Sequence, residues 1–585
     1  MIPIIMIELT GSLRAARFFL VLATLAGAGR LWAQPVQPEA ESGFAPRPSS
    51  VSNGFMAVTA NAYATDAAVE ILQLGGNALD AAIAAQWVLN LVEPQSSGIG
   101  GGGFMLHWDA ARRRVSAWDG RETAPRSASA DFARRPDGSQ ATFSELLATG
   151  KAVGVPGLVA MLEAAHRHHG KLTWERLLRP AIRLAENGFA VSPRLHGLLR
   201  DDRLLRDDSA ARALYYRANG DARPVGEIMR NPELATTFRA MAALGASDFY
   251  SGKGADRIAA AVARRGGALT AADLHDYRPL QRNAVCGPYR EWRICGMPPP
   301  SSGGVGVLQL LGLLERTGPP HADPANADAA HLFAEAGRLV YADRARYLAD
   351  PDFITVPQRE LLEPQYLDRR TRLIDERHSM GVAQPGELPA RYSQADDDAP
   401  ELPATTHLSI VDRAGNAVAL TSSIESAFGS RIQVDGFLLN NQLTDFSLAA
   451  EREGKPVANR LQPGKRPLSS MAPTLVFDAQ GRLHGVLGSP GGSRIINYVA
   501  RTLVALLDGK YEPAAALAIA HAGNRNSATE IERGRGSEEL VRELERRGHT
   551  VQRVDMTSGL HLIMRVGDLW VGAVDPRREG SARGD

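Results

Sequence analysis

Apolar positions change their period along the chain, and the changes mark its organisation. Residues 66–74 (DAAVEILQL) and the Ala-rich stretch from Leu79 to Val92 carry apolar side chains at three- and four-residue spacing, which predicts two closely packed helices. Asp66 is the expected N-cap of the first, and Gly75-Gly76-Asn77 its stop. After the glycine run Ser97 to Gly103, the segments FMLHWD and RVSAWD flank a basic turn and predict a strand pair. Helical spacing returns near 155–168, 174–187, 233–243, 255–265 and 304–316, and 328–348 predicts one long helix. Residues 380–404 are polar, Pro-rich and acidic (Asp396, Asp397, Asp398), as expected of a linker or an exposed loop. Beyond them the pattern switches. His407–Val411 and Asn416–Ile424 read as a hairpin around DRAGN, with strands at 436–440, 473–478 and 483–488 and a helix at 494–508. No internal repeat is present. Helices dominate before residue 380 and strands after 404, an α+β pattern.

The amino terminus has its own logic. Arg14 and Arg17 precede an apolar run, Phe18 to Ala28, and small residues follow up to Ala33. The run is far below the ~20 residues that span a bilayer, so it predicts a secretory signal cut after Ala28 or Ala33, with an uncleaved anchor as the competing reading. Residues 34–50 read as a polar tail. The expected location is periplasmic or secreted. An oxidising compartment permits a bridge between Cys286 and Cys295, which flank two short strands around a turn; two buried thiols fit the spacing equally well.

Composition narrows the classes. The chain has 585 residues, with 66 Lys+Arg against 65 Asp+Glu, so no global basic field points to nucleic acid or an anionic membrane. With 44% hydrophobic and 22% charged residues it is ordinary globular protein, and two cysteines exclude a disulfide scaffold. Gly98, Gly100 and Gly103 match G-x-G-x-x-G, but a helix precedes and a strand follows, the reverse of what pyrophosphate binding needs. His166, His168 and His169 read as a helix C-terminus rather than a metal site, since no further ligand lies at a recognisable spacing.

Three segments carry chemistry. Thr405-Thr406-His407 opens the strand-rich region directly after the linker. A break before Thr405 would give it a free α-amine of pKa about 7.7–8 beside its own hydroxyl, a base needing no partner. Taken alone, TTHLSIV is also an ordinary strand. Gly488-Ser-Pro-Gly-Gly-Ser-Arg494 joins a strand to a helix, so Gly491 and Gly492 are placed to offer backbone N–H groups to an oxyanion. Pro467-Leu-Ser-Ser-Met-Ala-Pro473 sets adjacent hydroxyls between two prolines.

With NAYATDAAVEILQLGGNALDAAIAAQ, VEPQSSGIGGGGFML, DGRETAP, PPPSSGG, RYLADPDF, TTHLSIVDRAGNAVA, LLNNQLTDFS, GKRPLSSMAPT, GSPGGSRI and DPRREG, these segments resemble the γ-glutamyltransferase (glutathione hydrolase) family from about Asn61 to Gly580. The resemblance implies an N-terminal-nucleophile hydrolase with a four-layer αββα sandwich. It implies self-cleavage at Ala404–Thr405 into a large subunit, 34–404, and a small one, 405–585, that stay together. By motif position Thr405 is the nucleophile and Ser423 supports it. Gly491 and Gly492 form the oxyanion hole. Arg121, Ser469 and Ser470 take the substrate α-carboxylate, and Gln442 and Asp445 its α-ammonium. Glutathione and other γ-glutamyl compounds are the implied donors, and water, amino acids or dipeptides the acceptors. No metal or organic cofactor is implied.

Three positions depart from the family pattern. Ser423-Ile424-Glu425 stands where Thr-x-Asn is common, which sets a carboxylate at Glu425 near the proposed ammonium site. The segment between Asp445 and Ser469 is short and lacks the lid tyrosine, implying a more open site. Leu408 replaces a Tyr found in some relatives. A family member acting on a glutaryl-cephalosporin or poly-γ-glutamate is the alternative within the fold, and a processing-dead binding protein the alternative outside enzymes.

Overall fold

The computed structural model describes residues 43–585 except 136, 322, 324, 390, 391, 393, 400, 402 and 403; the expected signal segment lies outside the described residues. Two seven-stranded antiparallel sheets face one another. The first contains β1 (Ser50–Ser52), β6 (Val285–Tyr289), β7 (Trp292–Gly296), β10 (Thr474–Phe477), β11 (Leu483–Gly488), β12 (His561–Val566) and β13 (Leu569–Val574), in the order β1-β13-β12-β11-β10-β7-β6. The second contains β2 (Met56–Thr59), β3 (Gly102–Asp109), β4 (Arg114–Gly120), β5 (Leu280–Arg282), β8 (Ala404–Val411), β9 (Ala417–Glu425) and β14 (Ser581–Gly584), in the order β14-β2-β8-β9-β3-β4-β5.

Helices cover both outer faces. α1 (Ala62–Gln73), α2 (Ala78–Val92) and α3 (Leu158–His169) pack on the second sheet, and α7 (Gly303–Arg316), α9 (Ile495–Leu507) and α10 (Pro513–Ala518) on the first. The helix-rich middle of the chain also supplies α4 (Trp174–Asn187), α5 (Pro232–Leu244), α6 (Lys253–Arg264) and α8 (Ala327–Tyr347). Because β8 and β9 also touch β11, and β2 touches β12 and β13, the order of layers is helix, sheet, sheet, helix. This is the expected αββα sandwich.

The strand alternation shows how the sequence builds these layers. On β8, Leu408 and Ile410 join the core under α2, and on β9 so do Val418, Leu420 and Ile424. Val411, Ala417 and Ala419 join the core between the sheets, with Phe104, Leu106 and Trp108 of β3. Each such fully buried branched or aromatic side chain stabilises the fold by about 1.5–3 kcal/mol. Cys286 and Cys295 are paired across β6 and β7 and form a disulfide, so of the two sequence readings the bridge holds.

Two local expectations need correction. The first helix starts at Ala62, capped by the Asn61 side chain, which accepts from Tyr63 N; Asp66 is inside it. The expected strand at 436–440 shrinks to Phe437–Leu438, paired with Gln433–Val434 around Asp435 and Gly436, both at positive φ. Among the described residues no helix is long and apolar enough to cross a membrane.

Several histidines are sealed in the interior. Burial holds His107, His549 and His561 at pKa values of about 3, and His407 well below its ordinary range. The folded chain keeps them neutral where the unfolded chain, with pKa near 6.5, is already protonated. Stability is therefore complete above pH 6.5 and falls as pH drops below it. Unfolding free energies from urea titrations at pH 7 and pH 5 should differ by about 2 kcal/mol for each such histidine. His561→Gln should remove one histidine's share of that difference, and an unchanged pH dependence would contradict the assignment.

Candidate active site

Thr405 is the second residue of β8, just past a bulge, and stands opposite Ser423 of β9. Strand parity decides where its side chain points. Thr406 faces the helix layer and donates to Glu93 Oε2 at the end of α2 (2.9 Å), whereas His407 bonds Thr421 and Ser409 donates to the carbonyl of His561 in the opposite sheet. Thr405 shares the parity of His407 and Ser409, so its hydroxyl enters the layer between the sheets.

There Thr405 Oγ1 donates to Ser423 Oγ (3.3 Å), and Ser423 Oγ donates to the Ala404 carbonyl (2.7 Å). The Glu425 backbone N–H donates back to Ser423 Oγ (2.9 Å). A hydroxyl nucleophile, a hydroxyl partner and the carbonyl before the nucleophile thus form one hydrogen-bonded set. Arg578 Nη1 holds the Thr405 carbonyl at 3.1 Å. The glycine run explains itself here: a Cβ on Gly101 would lie 2.2 Å from the Ser423 carbonyl oxygen.

A second set follows through Glu425. This residue ends β9 at φ +80, in the left-handed region, and accepts from Asn441 Nδ2. Asn441 opens the 3₁₀ turn Gln442–Asp445. Asp445 Oδ2 accepts from Gln442 Nε2 and from Arg121 Nη2, both at 2.6 Å, while its Oδ1 has no hydrogen-bond partner among the described residues. Arg121 also donates to the carbonyls of Pro467 (3.1 Å) and Leu468 (2.9 Å), directly before Ser469 and Ser470. Burial pushes the Asp445 carboxyl up from the ordinary range, against the Arg121 guanidinium and the Gln442 amide, which favour its ionised form. Burial also carries Glu122, next to Arg121, up to about 8.

Gly491 (φ +137) and Gly492 (φ +57) turn the chain from β11 into α9, conformations open to glycine. They join the same region through Arg578. A Cβ on Gly559 would lie 2.7 Å from both Arg578 Cδ and Pro490 Cγ, so the arginine that holds Thr405 packs beside the residue before Gly491. Thr405, Arg121 and Asp445 are all buried, at 3%, 1% and 4% exposed. In this unbroken chain Arg121 and Asp445 neutralise each other.

Sequence reading had assigned no role to Arg578, Asn441 or Ser302, although DPRREG, NNQLTDF and PPPSSGG contain them. His166, in the last turn of α3, bonds the Leu172 carbonyl beyond the helix end (2.9 Å). The described residues with metal-ligand spacing lie elsewhere, at His331, Glu335 and His549, where the two rings bond each other, the Asp375 carbonyl and Thr529.

The sequence profile described as Gamma-glutamyltranspeptidase matches residues 64–584. The chain belongs to this family. It is similar to the glutathione hydrolase proenzyme of Escherichia coli (strain K12), 35% identical over 543 residues covering 89% of this chain and 90% of the relative. It is also similar to the glutathione hydrolase proenzyme of Bacillus subtilis (strain 168), 37% identical over 458 residues and 77% of each chain. Among solved structures, the cephalosporin acylase from Bacillus halodurans superposes with a TM-score of 0.80 at 26% identity, over 93% of this chain and 98% of that one. As a γ-glutamyltranspeptidase-family member the chain is an N-terminal-nucleophile enzyme of γ-glutamyl hydrolysis and transfer.

Proposed function

We propose that Thr405 first severs its own peptide bond and then carries γ-glutamyl groups. The observation that supports this best is the set Thr405–Ser423–Ala404, in which the hydroxyl adjoins a partner that already grips the carbonyl to be attacked. Thr405 Oγ adds to the Ala404 carbonyl carbon as its proton passes to the Thr405 nitrogen. Collapse breaks the C–N bond and leaves an ester on Oγ with a free α-amine. Water hydrolyses the ester, giving an Ala404 carboxylate and restoring the Thr405 hydroxyl. The mature protein is then a pair of chains, 34–404 (or 29–404 if the signal segment ends at 28) and 405–585, in the periplasm or outside the cell.

In turnover the freed α-amine takes the hydroxyl proton while Oγ attacks the γ-amide of glutathione or a related compound. Gly491 and Gly492 N–H groups stabilise the oxyanion, each donor contributing about 3–4 kcal/mol in sites of this kind. The amine leaves with the proton, and water, an amino acid or a dipeptide takes the acyl group. Arg121, Ser469 and Ser470 hold the α-carboxylate. Gln442, Asp445 and Glu425 surround the α-ammonium, with the unpartnered Asp445 Oδ1 as a ready acceptor. The acylase neighbour favours a second reading, a glutaryl donor with no ammonium, but three acceptor side chains at that subsite argue for a cation. Glutathione and a glutaryl amide assayed side by side separate the two, and turnover of the glutaryl amide alone would reject the γ-glutamyl reading.

Ser423→Ala removes the grip on Ala404 and the acceptor of the Thr405 hydroxyl, while leaving the nucleophile itself in place. Its precursor should mature about tenfold to a hundredfold more slowly, timed on a denaturing gel. Maturation at the parent rate would assign Ser423 to packing.

A further inference from the structure

One buried cation near this site has no place in the roles above. Arg344, near the C-terminal end of α8, is 8% exposed. Its Nε donates to Ser302 Oγ (2.9 Å), and Ser302 Oγ donates to the Ser469 carbonyl (2.8 Å) and lies 3.3 Å from Ser470 Oγ. Arg344 therefore backs directly onto the two serines assigned to the substrate carboxylate. Among the described residues its one ion-pair partner is Glu401.

Glu401 belongs to the acidic linker, and the linker is docked. Asp396 pairs with Arg346, Asp397 accepts from Asn459 (2.8 Å) and its N–H donates to the Ala345 carbonyl (2.9 Å), and Asp398 pairs with Arg452. Glu401 lies on the Ala404 side of the bond to be cut, which is the acyl side. The γ-glutamyl group is the acyl part of the substrate, so its α-carboxylate approaches from that same side. Once the bond is cut Glu401 sits three residues from a free chain end, no longer tethered through Thr405. A buried guanidinium that loses its anion is strongly destabilised and selects for another.

We propose that Arg344 is a second guanidinium for the substrate α-carboxylate, paired with Glu401 in the unbroken chain and given over to substrate after cleavage. This rests on the carboxylate subsite described under the proposed function. Glu401 is then an internal stand-in for substrate, and Arg344 with Ser302 is a specificity device that favours acyl groups bearing a carboxylate.

The test compares two donors on processed enzyme: L-γ-glutamyl-p-nitroanilide and 4-aminobutyryl-p-nitroanilide, which keeps the amine and lacks the α-carboxylate. Arg344→Gln should raise KM for the glutamyl donor about 30-fold with kcat within about threefold, and leave the 4-aminobutyryl donor within about threefold. Arg344→Lys should recover part of the loss. Equal losses on both donors, or no loss on either, overturn the proposal. A parent enzyme that uses both donors equally rejects the carboxylate subsite itself, a separate failure. Should Arg344→Gln not mature, the whole chain carries the test. In a Thr405→Ala background, Glu401→Gln should make the melting temperature rise with about 10 mM L-glutamate and not with 4-aminobutyrate. An L-glutamate response that is absent, or matched by 4-aminobutyrate, overturns the proposal.

Discussion

Thr405→Ala should remain one uncut polypeptide and lose γ-glutamyl turnover by at least about 10⁴-fold. The parent should resolve on a denaturing gel into fragments of about 40 and 19 kDa, apportioned by length from the 62.8 kDa chain. The reason is that one hydroxyl serves both reactions. It bonds Ser423, and Ser423 holds the Ala404 carbonyl, so removing it deletes the only attacking atom in the set. Thr405→Ser should mature and work at a reduced rate, because the same oxygen persists on a less constrained side chain. Intact mass spectrometry reads both cuts at once. A parent chain that stays whole while active, or a Thr405→Ala chain that still divides before residue 405, would place the nucleophile elsewhere.

Asp445→Ala should cost both activity and stability. Asp445, itself buried, receives Arg121 and Gln442 at 2.6 Å each. Removing it strands a buried guanidinium, a change that typically costs about 3–5 kcal/mol. We expect kcat/KM for glutathione to fall by roughly 10²–10³ and the melting temperature to drop by several degrees. Asp445→Asn keeps two acceptor–donor contacts and should lie between. The split is informative: a stability loss with unchanged kcat/KM would mean that Asp445 only anchors Arg121 and does not meet the ammonium.

In the unbroken chain Arg121 is paired with Asp445 and Arg344 with Glu401. On the proposed roles, a zwitterionic substrate supplies one charge to each side, so it replaces these pairs without leaving a net charge buried.

Much of this was legible beforehand where the determinant is local. The alternating or apolar runs His407–Val411 and Asn416–Ile424 predict a hairpin around DRAGN, and β8 and β9 pair antiparallel there. Three- and four-residue spacing placed α2 and α8 within a residue or two of their ends. The misses have physical causes. A helix start is decided by whichever side chain reaches a free N–H, and Asn61 does so ahead of Asp66. The expected strand at 436–440 is cut short because Asp435 and Gly436, both at positive φ, form the tight turn of a two-residue hairpin, so pairing starts only at Phe437.

The sequence, through its resemblance to the γ-glutamyltransferase family, determined the class and the order of the layers, and it nominated the side chains proposed to attack, to grip a carboxylate or to bear an oxyanion. Only the tertiary structure decided their partners: Arg121 with Asp445 across 324 positions, Arg578 with Thr405 across 173, and Arg344 with Glu401 across 57. Periodicity reports how a segment meets the core beneath it. Which buried charge answers another depends on the stacking of two sheets, and no local pattern carries that information.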